Sequence, residues 1–158
     1  MRKLLNGFFI LLTVLLSLPG CLNNDEWEEY EAKLIKEYLE DLGDTIAVLK
    51  PSGLYFIEIA EGSGVSPITS DTVFFKYKGR FTDNTIFDTN KPDSVPLTYI
   101  LGSKQVITGV EEGLQYMKAG GKAKLIIPSK LAFGFNGINK IVPGYTPVLW
   151  DLELDSIK

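Results

Sequence analysis

The chain has 158 residues, 45% of them hydrophobic, and a formal net charge of −4. That length holds one ordinary domain with a real core and some extra chain. An acidic chain gains nothing from neutralising phosphates, which argues against nucleic acid as a partner, and the absence of histidine removes the commonest general base and metal ligand.

Part of the apolar content is concentrated at the start. Arg2-Lys3 precede an apolar run from Leu4 to Leu18 that ends at Pro19-Gly20, so residues 1–20 read as a secretory signal. A spanning helix needs about 20 apolar residues, and export is therefore expected rather than permanent anchoring by this segment. The single cysteine, Cys21, follows Leu18-Pro19-Gly20 directly, and a lone cysteine forms no internal disulfide. These four residues resemble a bacterial lipoprotein processing box, although Pro19 is unusual in it. The resemblance implies lipidation of Cys21 and a lipid-anchored place in the bacterial cell envelope, on the periplasmic face or the cell surface; the duller alternative is a plain cleaved signal. Several acyl chains hold a protein stably on a membrane, where one holds it weakly.

Residues 21–50 read as a lipidated tether followed by an acidic amphipathic helix. Trp27, Tyr30, Leu34, Tyr38 and Leu42 recur at the helical spacing, with Asp25 as the expected N-cap and Gly43 as the stop. Docking on its own domain or a solvated spacer is the preferred fate of this helix; pairing with a second copy is the alternative, and a monomer is expected.

Residues 51–158 form the expected domain. After Pro51-Ser52-Gly53, the run Leu54 to Ile59 is aromatic and β-branched, as in a strand. Gly62-Ser63-Gly64 turns the chain, and Val73, Phe75, Tyr77, Gly79 and Phe81 alternate with polar neighbours, which places Tyr77 on the core side of a strand. Asp83-Asn84 turns it back through Ile86-Phe87-Asp88, and a surface loop leads from Asn90 to Pro96 before Leu97–Ile100. Val106-Ile107 then stand before Thr108-Gly109-Val110-Glu111, where Thr108 and Glu111 have the spacing of a capping box for a helix over about 109–117. Lys122–Ile127 alternates as a further strand, residues 129–146 are a loop rich in Gly, Asn and Pro, and Val148, Trp150, Leu152 and Leu154 share one face of the last strand. One antiparallel sheet wrapped around one short helix accounts for this order.

Taken together, Tyr77, Phe87-Asp88, the stretch from Leu101 to Gly113, Leu131-Ala132-Phe133-Gly134-Phe135 and the final strand resemble the FKBP-type peptidyl-prolyl isomerases. The resemblance runs from about Ser52 to the C-terminus. It implies an α+β fold, a curved antiparallel β-sheet around one short α-helix, here with an N-terminal helical extension. It also implies isomerisation of X-Pro bonds in exported or envelope polypeptides through an apolar, aromatic-lined pocket, without covalent intermediate, cofactor or metal. Carried over by motif, the residues expected to act on the substrate are Tyr77, Phe87, Asp88 at the rim, Ile107 through its backbone N–H, and Phe133. Leu97, Tyr99, Val106, Val110, Ile141, Val142 and Trp150 are expected to line the substrate site.

The chain departs from the family pattern at two of these positions. Val110 stands where a tryptophan floor is common, and Phe133 where a tyrosine hydroxyl bonds the ligand. Both changes imply weaker turnover and an altered preference for the residue before proline, with Trp150, where phenylalanine is frequent, refilling part of the hollow. The rival reading is a non-catalytic binding module or holdase using the same groove. Gly121-Lys122-Ala123 lacks the earlier glycine of a phosphate loop, and Asp88, Glu111 and Glu112 read as a rim residue and a solvated turn rather than as paired acids.

Overall fold

The computed structural model describes residues 24–43, 46–90, 95–138 and 140–158. The signal, Cys21 and the tip of the loop between Asn90 and Pro96 lie outside the described residues. Helix α1 (Asn24–Asp41) is followed by β1 (Val48–Leu49), β2 (Tyr55–Ala60), β3 (Thr72–Arg80), β4 (Ile86–Thr89), β5 (Leu97–Ile100), α2 (Thr108–Tyr116), β6 (Lys122–Ile127) and β7 (Val148–Ile157). The strands form one antiparallel sheet in the order β1-β2-β6-β7-β3-β4, with β5 also pairing with β3. None of the described helices is long and apolar enough to cross a membrane.

Strand alternation sends Val73 and Phe75 of β3, Leu125 and Ile127 of β6, and Leu152 and Leu154 of β7 to the face that carries α2. There they join Val110 and Leu114 of the helix in one buried cluster. Burying each such side chain is worth about 1.5–3 kcal/mol relative to exposure, so this layer is the main store of stability. Helix α2 lies close to β6 because two of its residues lack side chains. A Cβ at Gly109 would come within 2.3 Å of Ile127 Cγ2, and one at Gly113 within 2.3 Å of Leu125 Cδ1.

The capping box expected at Thr108 and Glu111 does not form. The N-cap is Ile107, with extended backbone (φ −62°, ψ 147°) and no side-chain cap. Thr108 is thereby the first helical residue, and the Glu111 carboxyl accepts a hydrogen bond from the Tyr99 hydroxyl at 2.8 Å instead. A one-residue shift suffices, because the box requires its serine or threonine outside the helix.

Helix α1 lies on the opposite face of the sheet, where Ile35 and Tyr38 pack with Ile57, Ile126 and Leu149. Lys124 Nζ sits 6.0 Å from the centre of the Tyr38 ring, in cation–π range. Gly43, at φ +62°, closes the helix with its N–H on the Glu40 carbonyl at 3.1 Å. The docked face overlaps the stripe the spacing suggests, sharing Tyr38 and Leu42, without matching it. Glu31, Ile35 and Tyr38 are buried, whereas Tyr30 is exposed, and Asp25 lies in the first turn rather than at the cap. Apolar periodicity alone does not choose between adjacent stripes; the hydrogen bonds that Glu31 accepts from Ser129 and the packing of Ile35 with Ile57, Ile126 and Leu149 do.

Gly113→Ala is expected to lower stability, since forcing a methyl into a packed core costs about 1–3 kcal/mol, against the ~1 kcal/mol alanine gains over glycine in a helix. A urea midpoint shifted downward at unchanged slope is the expected result.

Candidate functional site

The concave face of the sheet is not fully filled by α2. A cavity of about 390 Å³ opens between β3, β4, β7, the residues entering α2 and the loop after β6. That volume lies at the small end of ligand pockets.

Its floor depends on one missing side chain. Gly79 of β3 pairs with Trp150 on one side and with Asp88 on the other. A Cβ there would lie 2.9 Å from Phe87 Cζ and 3.4 Å from Trp150 Cε2. With only hydrogen at that point, Phe87 of β4 and Trp150 of β7 approach edge to face, with ring centres 6.2 Å apart and planes at 73°. Tyr77 lies against the indole at 4.8 Å, and Phe133 meets Phe87 edge-on at 6.1 Å. These are preferred aromatic geometries, each worth about 0.5–1.5 kcal/mol beyond buried area.

The β4 segment is held in place by polar bonds to β3. Asn90 Oδ1 accepts from the Tyr77 N–H at 2.7 Å, Thr89 Oγ1 donates to the Tyr77 carbonyl at 2.9 Å, and Asn90 Nδ2 donates to the Phe75 carbonyl at 3.3 Å. At the cavity rim the Tyr77 hydroxyl donates to Asp88 Oδ2 at 3.2 Å. Burial pushes the Tyr77 hydroxyl above the usual tyrosine pKa, and the charge of Asp88 and the bond to it push the same way. The phenol therefore stays protonated and neutral through the physiological range.

Tyr77, Phe87, Asp88, Leu97, Val106, Ile107, Phe133, Ile141 and Trp150 all line the cavity. Ile107, as N-cap, has a backbone N–H with no partner among the described residues, as the first turn of a helix dictates. Three of the expected lining residues lie beneath the wall instead. Val110 is fully buried on the core-facing side of α2, Val142 is buried while its backbone pairs with Ile138, and Tyr99 is buried with its hydroxyl on Glu111. Phe75, Gln105 and Ile138 line the cavity without having been singled out. Phe75 shares the strand parity of Tyr77 and was recoverable from it; Ile138 sits in a loop where no period exists to read.

A family model described as FKBP-type peptidyl-prolyl cis-trans isomerase matches residues 64–155. The chain is 42% identical over 113 residues to the "Macrophage infectivity potentiator" of Trypanosoma cruzi, covering 71% of this chain and 57% of that one. The crystal structure of FkpA from Escherichia coli superposes with a TM-score of 0.73 at 33% identity, covering 85% of this chain and 62% of that one. A peptidyl-prolyl cis-trans isomerase from Pseudomonas syringae pv. tomato gives a TM-score of 0.74 at 26% identity, covering 87% and 98%. The chain spans about half the length, or less, of the first curated relatives it matches.

Asp88→Asn removes the charge that helps to raise the Tyr77 pKa and leaves only a weaker, neutral acceptor, so Tyr77 should ionise at lower pH than in the parent, closer to the ordinary value of about 10. Phenolate absorbance, taken as the difference from a Tyr77→Phe variant, reads this directly. Because the fold retains the Tyr77 proton, its contribution to stability is complete below about pH 10 and is lost as the pH rises from there through the raised folded-state pKa; with the substitution the onset stays near pH 10, while the loss becomes smaller and ends at lower pH.

Proposed function

The chain belongs to the FKBP-type peptidyl-prolyl cis-trans isomerase family, and on that premise we propose that it catalyses rotation about the peptide bond preceding proline in exported or envelope polypeptides. The observation that carries this reading is the convergence of Tyr77, Phe87, Ile107, Phe133 and Trp150 on one apolar hollow with Asp88 at its mouth. The bond has a barrier of about 18–20 kcal/mol from amide resonance, and uncatalysed exchange takes tens to hundreds of seconds. No covalent bond breaks, so neither a nucleophile nor a general base is needed.

The prolyl ring enters between Tyr77, Phe87 and Trp150, which replace its water. Twisting removes conjugation between nitrogen and carbonyl, and a dry, preformed wall favours the twisted geometry over either planar isomer. The N–H of Ile107, without a partner among the described residues, offers one hydrogen bond to the substrate chain, and Asp88 with the Tyr77 hydroxyl faces the rotating carbonyl. Phe133 has no hydroxyl with which to hold that carbonyl, and Val110 is sealed in the core with the indole of Trp150 nearer the cavity. Both features support turnover below that of members with tyrosine and tryptophan at these positions, and Trp150 takes over the floor.

A binding module or holdase is the second reading, favoured by the missing hydroxyl and by apolar side chains left exposed at and beside the mouth, Phe135 at 68% and Ile141 at 55%. In proline-containing tetrapeptide assays with the preceding residue varied, acceleration is expected. Phe87→Ala should lower kcat/KM by about tenfold or more, from roughly 1.5 kcal/mol or more of lost ring contact. Phe133→Tyr should raise it about fivefold, the equivalent of one net hydrogen bond of ~1 kcal/mol. Binding of unfolded chains without acceleration of any peptide leaves only the holdase.

Lipidation of Cys21 would place this site on a membrane in the bacterial cell envelope, as a monomer on a short tether. Cys21→Ser is expected to abolish incorporation of labelled fatty acid and to move the protein from the membrane to the soluble fraction.

A further inference from the structure

Glu31 is the one acidic side chain of α1 that is buried among the described residues, at 8% exposure. Its carboxyl accepts two hydrogen bonds from a single partner 98 positions away, the Ser129 N–H and, at 2.7 Å, the Ser129 hydroxyl. Burying a carboxyl group is costly unless it is bonded in this way. For docking the helix, an apolar residue would serve at least as well.

What distinguishes the bond is where Ser129 stands. The Ser129 carbonyl accepts from the N–H groups of Ala132 at 2.9 Å and Gly134 at 2.8 Å, the two residues flanking Phe133. Gly134 in turn accepts from the Tyr145 N–H at 3.1 Å. The Tyr145 ring is stacked on Trp27, with centres 5.8 Å apart and planes at 10°. Trp27 and Glu31 are one helical turn apart, on the same side of α1. The helix therefore grips the turn that presents Phe133 at both ends.

We infer that Glu31 is a positioning residue for the isomerase site: through Ser129 it fixes the turn that carries Phe133, so that α1, which packs on the far side of the sheet, sets the shape of the wall facing Phe87. The inference deepens the isomerase reading and rests on it for its effect on turnover. Its structural half, the ordering of the turn, is independent of activity.

The test compares Glu31→Ala, Glu31→Gln and Ser129→Ala in the detergent-solubilised full chain, each with and without Phe133→Ala. Two readouts are taken, kcat/KM on prolyl tetrapeptides and amide hydrogen exchange. Glu31→Ala should accelerate exchange at Ala132, Gly134 and Tyr145 while the β3 and β7 amides keep their protection. It should also lower kcat/KM by about tenfold, as misplacement of a site wall by a fraction of an ångström to an ångström does. Glu31→Gln, whose side-chain oxygen still accepts from the Ser129 N–H, should recover most of this. In the Phe133→Ala background Glu31→Ala should change kcat/KM less than about twofold, because the ring it positions is gone.

An equal loss in both backgrounds, or exchange that rises uniformly over the sheet, would reduce Glu31 to a stabilising contact and overturn the inference. Unchanged exchange at residues 132–134 would do the same. Should Glu31→Ala not fold, Ser129→Ala, which keeps the N–H bond and loses only the hydroxyl, carries the same expectations at smaller amplitude. A parent chain inactive on every peptide would sink the isomerase reading and leave the exchange result to decide the ordering of the turn.

Discussion

The hollow exists because β3 has no side chain at Gly79. The pairing of β3 with β7 puts that residue directly opposite Trp150, and the turn at Asp83-Asn84 brings Phe87 back over it. Any Cβ there would lie within 3.0 Å of the Phe87 ring, closer than packed carbon atoms allow. Phe87 would then swing away from the indole, and the face against which Phe133 rests would go with it. The cavity is thus a consequence of register. A slip of one residue between β3 and β7 would place Lys78 or Arg80 opposite Trp150 and turn the aromatic set toward the other face.

Strand order and site composition were legible to different degrees, for physical reasons. Alternation along residues 73–81 and 148–154 places Tyr77 and Trp150 correctly, because a period of two leaves little choice once one face is apolar. Phe87-Asp88 and Val106-Ile107 were readable as adjacent pairs at the mouths of elements, where neighbouring residues share a location even if their faces differ. Tyr99 and Val110 were harder. Tyr99 lies two residues from the lining Leu97, on the same strand face, and Val110 one turn from Ile107, and whether such a side chain reaches the cavity or the core below depends on the tilt of its element. Glu31 was invisible, since a single acid in a helix with many acids carries no mark of burial. Its partner, Ser129, lies almost a hundred residues on, in a loop without periodicity.

The electrostatics of the site follow from the reaction it would serve. Rotation about an amide bond moves little charge, so a wall of rings with one neutral phenol and one carboxyl at the rim is chemically sufficient. The absence of histidine is no handicap for such chemistry. Tyr77 fits this frame because burial keeps it protonated and able to donate, while Asp88, at the exposed edge, fixes the direction of that hydroxyl. In the proposed reading, Phe133 in place of a tyrosine would offer no donor from the opposite wall while keeping the ring. On that reading the site would hold its shape with one polar contact fewer to the substrate.

Coverage of both faces of the sheet changes what the domain can transmit. With α2 on the concave face and α1 on the other, Ile126 and Leu149 are buried from the outside as completely as Leu125 and Trp150 are from within. The helix following the proposed lipid tether is thereby continuous, through Trp27 and Glu31, with the turn that carries Phe133. A contact made by α1 reaches the cavity in three steps of direct bonding: Glu31 to Ser129, Ser129 to the amides beside Phe133, and Phe133 to Phe87. Packed side chains and hydrogen bonds transmit displacement only when they form an unbroken chain with few alternatives. Here that chain is short, because the loop leaves β6 at Pro128, immediately beneath the helix.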